Sequence, residues 1–275
     1  MAIGHEITNE IVDGIEWVSY TLKEPTDRPP ILFQHGMWHG AWCWSKWQEL
    51  LAERGWESHA ISLPGHGNSV SEKSVRFATM GHYLDVLEAA IGRLSPKPVL
   101  IGHSMGGALA QWRLKKIADD LPGVVLAASW TSHSTWADGT ALHMKRDPWG
   151  FFLVGLTMST DPLIRDAERA ASMLITDGAL FSADELHSKL VSESALVLNQ
   201  HNPPFWRPLK NPKTPILWVG AEKDAVVSIR GARRSAEFYG AEFALIENAG
   251  HNLMMEANYE KSLSVVEDWL QRNIA

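Results

Sequence analysis

Pro98-Val99-Leu100-Ile101-Gly102-His103-Ser104-Met105-Gly106-Gly107-Ala108-Leu109-Ala110 runs from an apolar stretch, through a glycine-flanked serine, into a helix-like segment. Strand, G-x-S-x-G and helix in this order form the pattern of a nucleophile elbow. So sharp a turn strains the serine backbone, and side chains at positions 102 and 106 would collide with the chain around them. The pattern predicts a hydroxyl standing at the carboxyl end of a strand, beside the amino end of a helix. There the partial positive charge of the helix terminus favours a developing anion.

The flanking sequence predicts the scaffold for this turn. Pro30-Ile31-Leu32-Phe33-Gln34 enters His35-Gly36 as a buried parallel strand would. Residues 17–22 read as an early strand at the sheet edge. Residues 56–63 read as a further strand, closed by Pro64-Gly65-His66-Gly67. A helix is expected over 44–54 and stopped by Gly55. Leu84, Leu87, Ile91 and Leu94 recur at spacings of three and four, which marks a helix with one buried face. After the serine turn come strands at 124–128, 214–220 and 243–246. A helix follows Ser228, and a terminal helix presents Tyr259, Leu263, Val266 and Leu270 on one side. Strands alternating with helices predict an α/β fold: a mostly parallel central sheet, helices on both faces and right-handed crossovers.

Residues 131–206 interrupt the alternation. They are helix-like only in patches, over 163–174 and 183–198, with Pro148, Pro162, Pro203 and Pro204 as punctuation. The expectation is a helical cap inserted after the sixth strand and lying above Ser104. The chain then divides into a first core part at 1–130, a cap at 131–206 and a second core part at 207–275. No internal repeat or low-complexity tract is present.

Composition narrows the class of function. A chain of 275 residues, 45% hydrophobic and 21% charged, suits one large globular domain or a domain with an insertion. The formal net charge of −7, without a basic stripe, argues against nucleic acid as a partner. The single cysteine, Cys43, cannot form an internal disulfide and fits a reducing compartment. The first residues lack the basic start and apolar run of a signal peptide, and no apolar run approaches a membrane span. A cytoplasmic location without membrane partners is therefore expected.

A serine hydroxyl needs a base, and the base needs an orienting partner. Val219-Gly220-Ala221-Glu222-Lys223-Asp224 leaves a buried strand and reaches a carboxylate. Glu247-Asn248-Ala249-Gly250-His251 leaves the last strand and reaches a histidine. Both loops belong to the carboxyl edge of the sheet, as Ser104 does. Asp224 is the favoured acid, with Glu222 as the alternative. The loop after 124–128 supplies Ser129, Trp130, Thr131, Ser132 and His133 before its first carboxylate, Asp138. Among the twelve histidines, only His251 has this placement. His103 is expected to point away from the substrate, His66 belongs to a turn, and His133 is a secondary candidate for the cleft. The oxyanion of a tetrahedral intermediate requires backbone N–H donors. Met105, next to the serine, and Met37, in the loop after the 30–34 strand, are expected to provide them.

These residues resemble the α/β-hydrolase fold superfamily. The resemblance rests on His35-Gly36, Gly102-x-Ser104-x-Gly106, Asp224 and His251, and it spans nearly the whole chain apart from the cap. The stretch His35-Gly36-Met37-Trp38-His39-Gly40-Ala41-Trp42-Cys43-Trp44 is similar to a loop of plant methylesterases, hydroxynitrile lyases and related bacterial esterases. The likeness implies hydrolysis of a carboxylic ester through an acyl-enzyme on Ser104, with Asp224 and His251 completing a triad and no metal or organic cofactor. Hydroxynitrile lyases of this type carry a lysine beside the histidine, whereas Asn252 stands here, which disfavours lyase chemistry. The cofactor-free dioxygenases of the fold often alter the elbow, which is intact here. Haloalkane dehalogenases need an aspartate at position 104.

Thirteen tryptophans are many for this length. Aromatic and methionine side chains in the cap, among them Trp136, Phe151 and Met173, suit an apolar acyl or aromatic group. Trp38, Trp130 and Trp136 are expected to touch substrate, while most of the others pack the cap onto the core. No arginine cluster suggests phosphate or coenzyme A recognition. The expected activity is hydrolysis of a small to medium apolar or aromatic ester, with a lactone included. Alternatives are a cofactor-independent dioxygenase or lyase, and a non-catalytic ligand-binding protein.

Overall fold

A computed structural model describes residues 4–24, 26–136, 144 and 147–274; Asp138 and residues 1–3 lie outside the described residues. One eight-stranded sheet runs through the molecule in the order β1-β2-β4-β3-β5-β6-β7-β8. The strands are β1 (His5–Val12), β2 (Ile15–Leu22), β3 (Ile31–Gln34), β4 (Ser58–Ile61), β5 (Val99–His103), β6 (Val124–Ala127), β7 (Ile216–Ala221) and β8 (Glu242–Ile246). The β1/β2 and β2/β4 pairs are antiparallel, and every other pair is parallel. The short apolar runs at β3, β5, β6 and β7 are buried along their whole length, as strands covered on both faces must be.

The stretch expected at the sheet edge is instead its second strand. β1 covers it and forms the edge, paired from His5↔Leu22 to Val12↔Ile15. Exposure of nearly every β1 residue removes the apolar signal by which the other strands were legible. Its one legible mark is the two-residue turn Asp13-Gly14. Both residues have positive φ, 52° and 80°, as a tight hairpin loop requires.

Helices cover both faces: α1 (Ser45–Glu53), α2 (Met80–Arg93), α3 (Met105–Lys116) and, after the insertion, α8 (Ile229–Tyr239) and α9 (Tyr259–Asn273). α1 begins one residue later than expected because Ala41–Trp44 forms a 3-10 turn. Gly55, at φ 81°, stops it as anticipated. Six of the fully buried large side chains are tryptophans: Trp44, Trp47, Trp56, Trp206, Trp218 and Trp269. Phe33 stacks on Trp44 with ring centroids 4.6 Å apart, so much of the tryptophan content serves core packing.

Between β6 and β7 lie α4 (Pro148–Thr157), α5 (Ala167–Leu174), α6 (Ala183–Lys189) and α7 (Ala195–Gln200). The expected helix over 183–198 is thus two helices, parted by an extended stretch in which Ser194 bridges to Ser159. The expected helical patch at 163–174 is a 3-10 turn (Asp161–Ile164) followed by α5. Nothing in the apolar periodicity announced α4. Its sequence, PWGFFLVGLT, is apolar on all sides, and Asp147 caps it through the Gly150 N–H at 3.0 Å. Trp206 closes the insertion by donating its indole N–H to the Ser132 carbonyl at 2.7 Å. Among the described residues, no helix is long and apolar enough to cross a membrane.

Candidate active site

Ser104 sits between β5 and α3 with φ 52° and ψ −116°. A non-glycine residue in this region costs about 1–3 kcal/mol and persists only where its surroundings fix it. Those surroundings are close-packed backbone. A Cβ on Gly102 would lie 2.4 Å from the Gly106 carbonyl oxygen, and one on Gly106 would lie 2.3 Å from that of Gln34. The Ser104 N–H donates to Ala127 O at 3.1 Å, and Ser104 O accepts from the Trp130 N–H at 3.3 Å. The turn is therefore held by β6 and by the residues that directly follow it, ahead of the insertion.

His251 and Asp224 come from the loops after β8 and β7. These loops are stitched by the Lys223 N–H donating to Ala249 O at 2.8 Å and the Glu222 N–H donating to Ile246 O at 3.0 Å. His251 Nδ1 lies 3.0 Å from both carboxylate oxygens of Asp224, and His251 Nε2 lies 2.8 Å from Ser104 Oγ. Asp224 can only accept, so Nδ1 carries the proton and Nε2 is free to accept from the hydroxyl. Asp224 Oδ1 is fixed in turn by the N–H groups of Val226 and Val227, at 2.8 and 2.9 Å. Ser104, Asp224 and His251 thus stand in one continuous chain of hydrogen bonds. Glu222 stands apart on the surface, where it accepts from the Asn248 N–H at 2.8 Å.

The loop after β3 passes directly beside the serine, since a Cβ on Gly36 would come within 2.9 Å of the Ser104 Cβ. Met37 follows Gly36, and Met105 opens α3. Among the described residues, neither backbone N–H donates to another protein group. Both are available to an oxygen on a carbonyl carbon attacked by Ser104.

The cleft above has an empty volume of about 670 Å³, part of it open to solvent. Trp38 and Trp130 line it, with Phe151, Leu163, Met173 and Leu198 from the insertion and Val226 and Val227 from the Asp224 loop. Trp136 does not. It is 41% exposed and donates its indole N–H to Asn199 Oδ1 at 3.2 Å. Periodicity cannot foresee this, because the chain turns outward just before the residue. His133 packs edge-on against Phe238, away from the cleft. His103 is among the residues bordering the cleft floor, yet it is only 1% exposed, and its Nε2 donates to His251 O at 3.0 Å. Burial pushes its imidazole well below the usual histidine range. Cys43 is buried and its thiol is pushed up by burial, so it is a packing residue here. Among the described residues, no three His, Cys, Asp or Glu side chains gather as a metal-ligand set.

A strained serine on a strand-to-helix turn, an Asp–His relay behind it and an eight-stranded mostly parallel sheet define a member of the α/β-hydrolase superfamily. The chain belongs to the alpha/beta hydrolase family, whose model matches residues 31–261. Two curated relatives are a pFDCC methylesterase from Arabidopsis thaliana, 37% identical over 101 residues, and a pheophorbidase from Raphanus sativus, 35% identical over 100 residues. Each match covers 36% of this chain and 38% of the relative, so the chain is matched over well under half of their length. Among solved structures, an esterase from Thermogutta terrifontis superposes with a TM-score of 0.72 at 20% identity, covering 98% of this chain and 100% of that one. That likeness is one of fold.

Proposed function

We propose that this protein cleaves carboxylic esters of small to medium, apolar or aromatic substrates through an acyl-enzyme on Ser104, with lactones among the candidate substrates. The observation that carries this reading is the relay from Asp224 through His251 to Ser104, at 3.0 and 2.8 Å, at the floor of an apolar cleft. In this mechanism Ser104 Oγ attacks the carbonyl carbon while its proton passes to His251 Nε2. Asp224 holds the tautomer and stabilises the resulting imidazolium. The N–H groups of Met37 and Met105 receive the oxyanion. Collapse breaks the ester C–O bond, and His251 returns its proton to the leaving alkoxide. Water, deprotonated by the same imidazole, then releases the acid and restores Ser104.

No Lys, Arg, Asp or Glu side chain is among the described residues lining the cleft, so both substrate halves should be uncharged. A carboxylate or phosphate buried there would lack a counter-charge. The methylesterases among the relatives agree with an ester of a small alcohol. The test is a panel of p-nitrophenyl esters and lactones assayed with wild type and Ser104→Ala, alongside labelling by an organophosphonate. Turnover and labelling that both vanish in Ser104→Ala support the reading. Ester turnover that survives the substitution overturns it.

A further inference from the structure

His39 and Asn252 are buried beside the reacting centre, at 1% and 0% exposure, yet bond to neither Asp224 nor the Ser104 hydroxyl. Their bonds lead to the oxyanion loop. His39 Nδ1 lies 2.6 Å from the Met37 carbonyl oxygen, which can only accept, so Nδ1 carries a proton. Burial holds this imidazole neutral, with its pKa lowered to about 4, so Nε2 is bare. Asn252 Nδ2 stands 3.0 Å from that Nε2 and must be the donor. The chain of donation therefore has one direction, from the Asn252 amide to His39 and from His39 to Met37 O.

The peptide so gripped is a demanding one. Met37 O belongs to the bond leading into Trp38, a non-glycine residue at φ 65°. A left-handed tryptophan relaxes unless something fixes the peptide before it, and the N–H of the same Met37 is the donor that the reading above assigns to the oxyanion. On its other side, Asn252 directly follows His251, and its own N–H donates to Leu174 O of the cap at 2.8 Å. Asn252 Oδ1 finds no partner among the described residues. A buried oxygen left unsatisfied is costly, and an apolar side chain would suit a purely structural site better.

We propose that Asn252 and His39 are positioning residues that lock the oxyanion loop to the catalytic-histidine loop, holding the Met37 donor and the His251 base in one frame. The proposal rests on the serine-hydrolase reading above. It explains why an asparagine suits position 252: a side chain that donates to His39 is needed there, without a charge beside the base.

The experiment uses Asn252→Leu, which keeps the volume but cannot donate, together with His39→Phe and the double variant. Each is assayed with an uncharged p-nitrophenyl ester across pH, and titrated with a trifluoromethyl ketone that forms a tetrahedral adduct on Ser104. Asn252→Leu is expected to lower kcat by about tenfold to a hundredfold, the scale of an oxyanion donor displaced by a fraction of an ångström, with KM within about twofold. The ketone should lose affinity by a similar factor, while the acid limb of kcat/KM, set by His251, stays in place. The double variant should be no slower than the slower single one, since both act through one chain of bonds. A kcat within twofold of wild type overturns the proposal. So does a displaced acid limb, which would mean that Asn252 acts on the base, and so do losses that multiply in the double variant. Should the leucine unfold the protein, Asn252→Ala gives the same readings without added bulk. A wild type that neither hydrolyses esters nor labels at Ser104 refutes the hydrolase reading, and this proposal with it; an active wild type matched by its variants refutes this proposal alone.

Discussion

At Ser104 the backbone is as much a part of the site as the hydroxyl. Its φ of 52° is maintained because Gly102 and Gly106 let β3, β5 and α3 approach until no Cβ fits between them. Gly106→Ala would press a methyl against the carbonyl oxygens of Gln34 and His35, at 2.3 and 2.6 Å, and backbone on both sides cannot give way. We expect a destabilisation of about 3 kcal/mol or more and loss of ester turnover; a thermal melt within 2 °C (roughly 1 kcal/mol or less) of wild type would contradict this. His251→Ala should lower kcat by roughly a thousandfold or more, because without the imidazole no group on the relay can take the serine proton. Steady-state turnover within tenfold of wild type would remove His251 from the mechanism. These positions were legible in the sequence because each lies at the end of an apolar run, and a run of that kind fixes where its loop emerges. His39, Asn252 and the outward turn of Trp136 were not, since side-chain direction in a loop depends on which distant segment packs against it.

Between the cap and the core, the decisive contacts belong to one buried carboxylate. Glu193 precedes α7 and is wholly buried; its Oε1 accepts from Tyr83 OH at 2.9 Å and the Ser194 N–H at 2.7 Å, while His66 Nε2 lies 3.2 Å from Oε2. Its carbonyl oxygen accepts the Thr160 N–H at 2.9 Å, and Thr160 Oγ1 receives the Trp38 indole N–H at 2.8 Å. Glu193→Ala would strand three polar groups at this junction, and we expect a loss of about 3–5 kcal/mol, read from denaturant unfolding; a loss under about 1 kcal/mol would show that the junction is held elsewhere. In α4, Phe151 faces the cleft while Trp149 and Phe152 stack on the outside with centroids 5.3 Å apart. Phe151→Ala should therefore raise KM for an aromatic ester severalfold, whereas Trp136→Ala should leave it within about twofold, the difference following from which ring loses buried contact. Equal effects would misplace the substrate. The alternation of strands and helices was legible because a buried strand is apolar throughout and a covering helix is apolar on one face. α4 obeys neither rule, and β1 lies exposed at the edge, so only Asp13-Gly14 hinted at the hairpin.

For the molecule as a whole, acidity acts through buried imidazoles. Burial lowers the pKa of His39 and His201 from 6.5 to about 4 each, and lowers those of His35 and His103 well below 6.5. These groups stay neutral in the folded state but take up protons on unfolding. Their contribution is therefore full above pH 6.5 and is lost as pH falls toward about 4, at about 3 kcal/mol each for His39 and His201. Glu256, whose carboxyl is raised by burial, works in the opposite direction but is a single group. The melting temperature should fall steadily between pH 6.5 and 4.5, and a flat profile over that window would contradict the burial of these rings as neutral species. The Trp206–Ser132 bond, which joins the start and finish of the insertion, has a further consequence. β6 and β7 are neighbouring parallel strands, so the 76-residue stretch from 131 to 206 is also much of the link that carries the chain back across the sheet. Simple excision would leave only the twelve residues 128–130 and 207–215 between two parallel strands, the bare minimum for such a return and with no helix to cover it. Transplanting a foreign segment between the same two anchor points would respect that requirement, and this makes the insertion the natural unit of exchange for altering what the scaffold accepts.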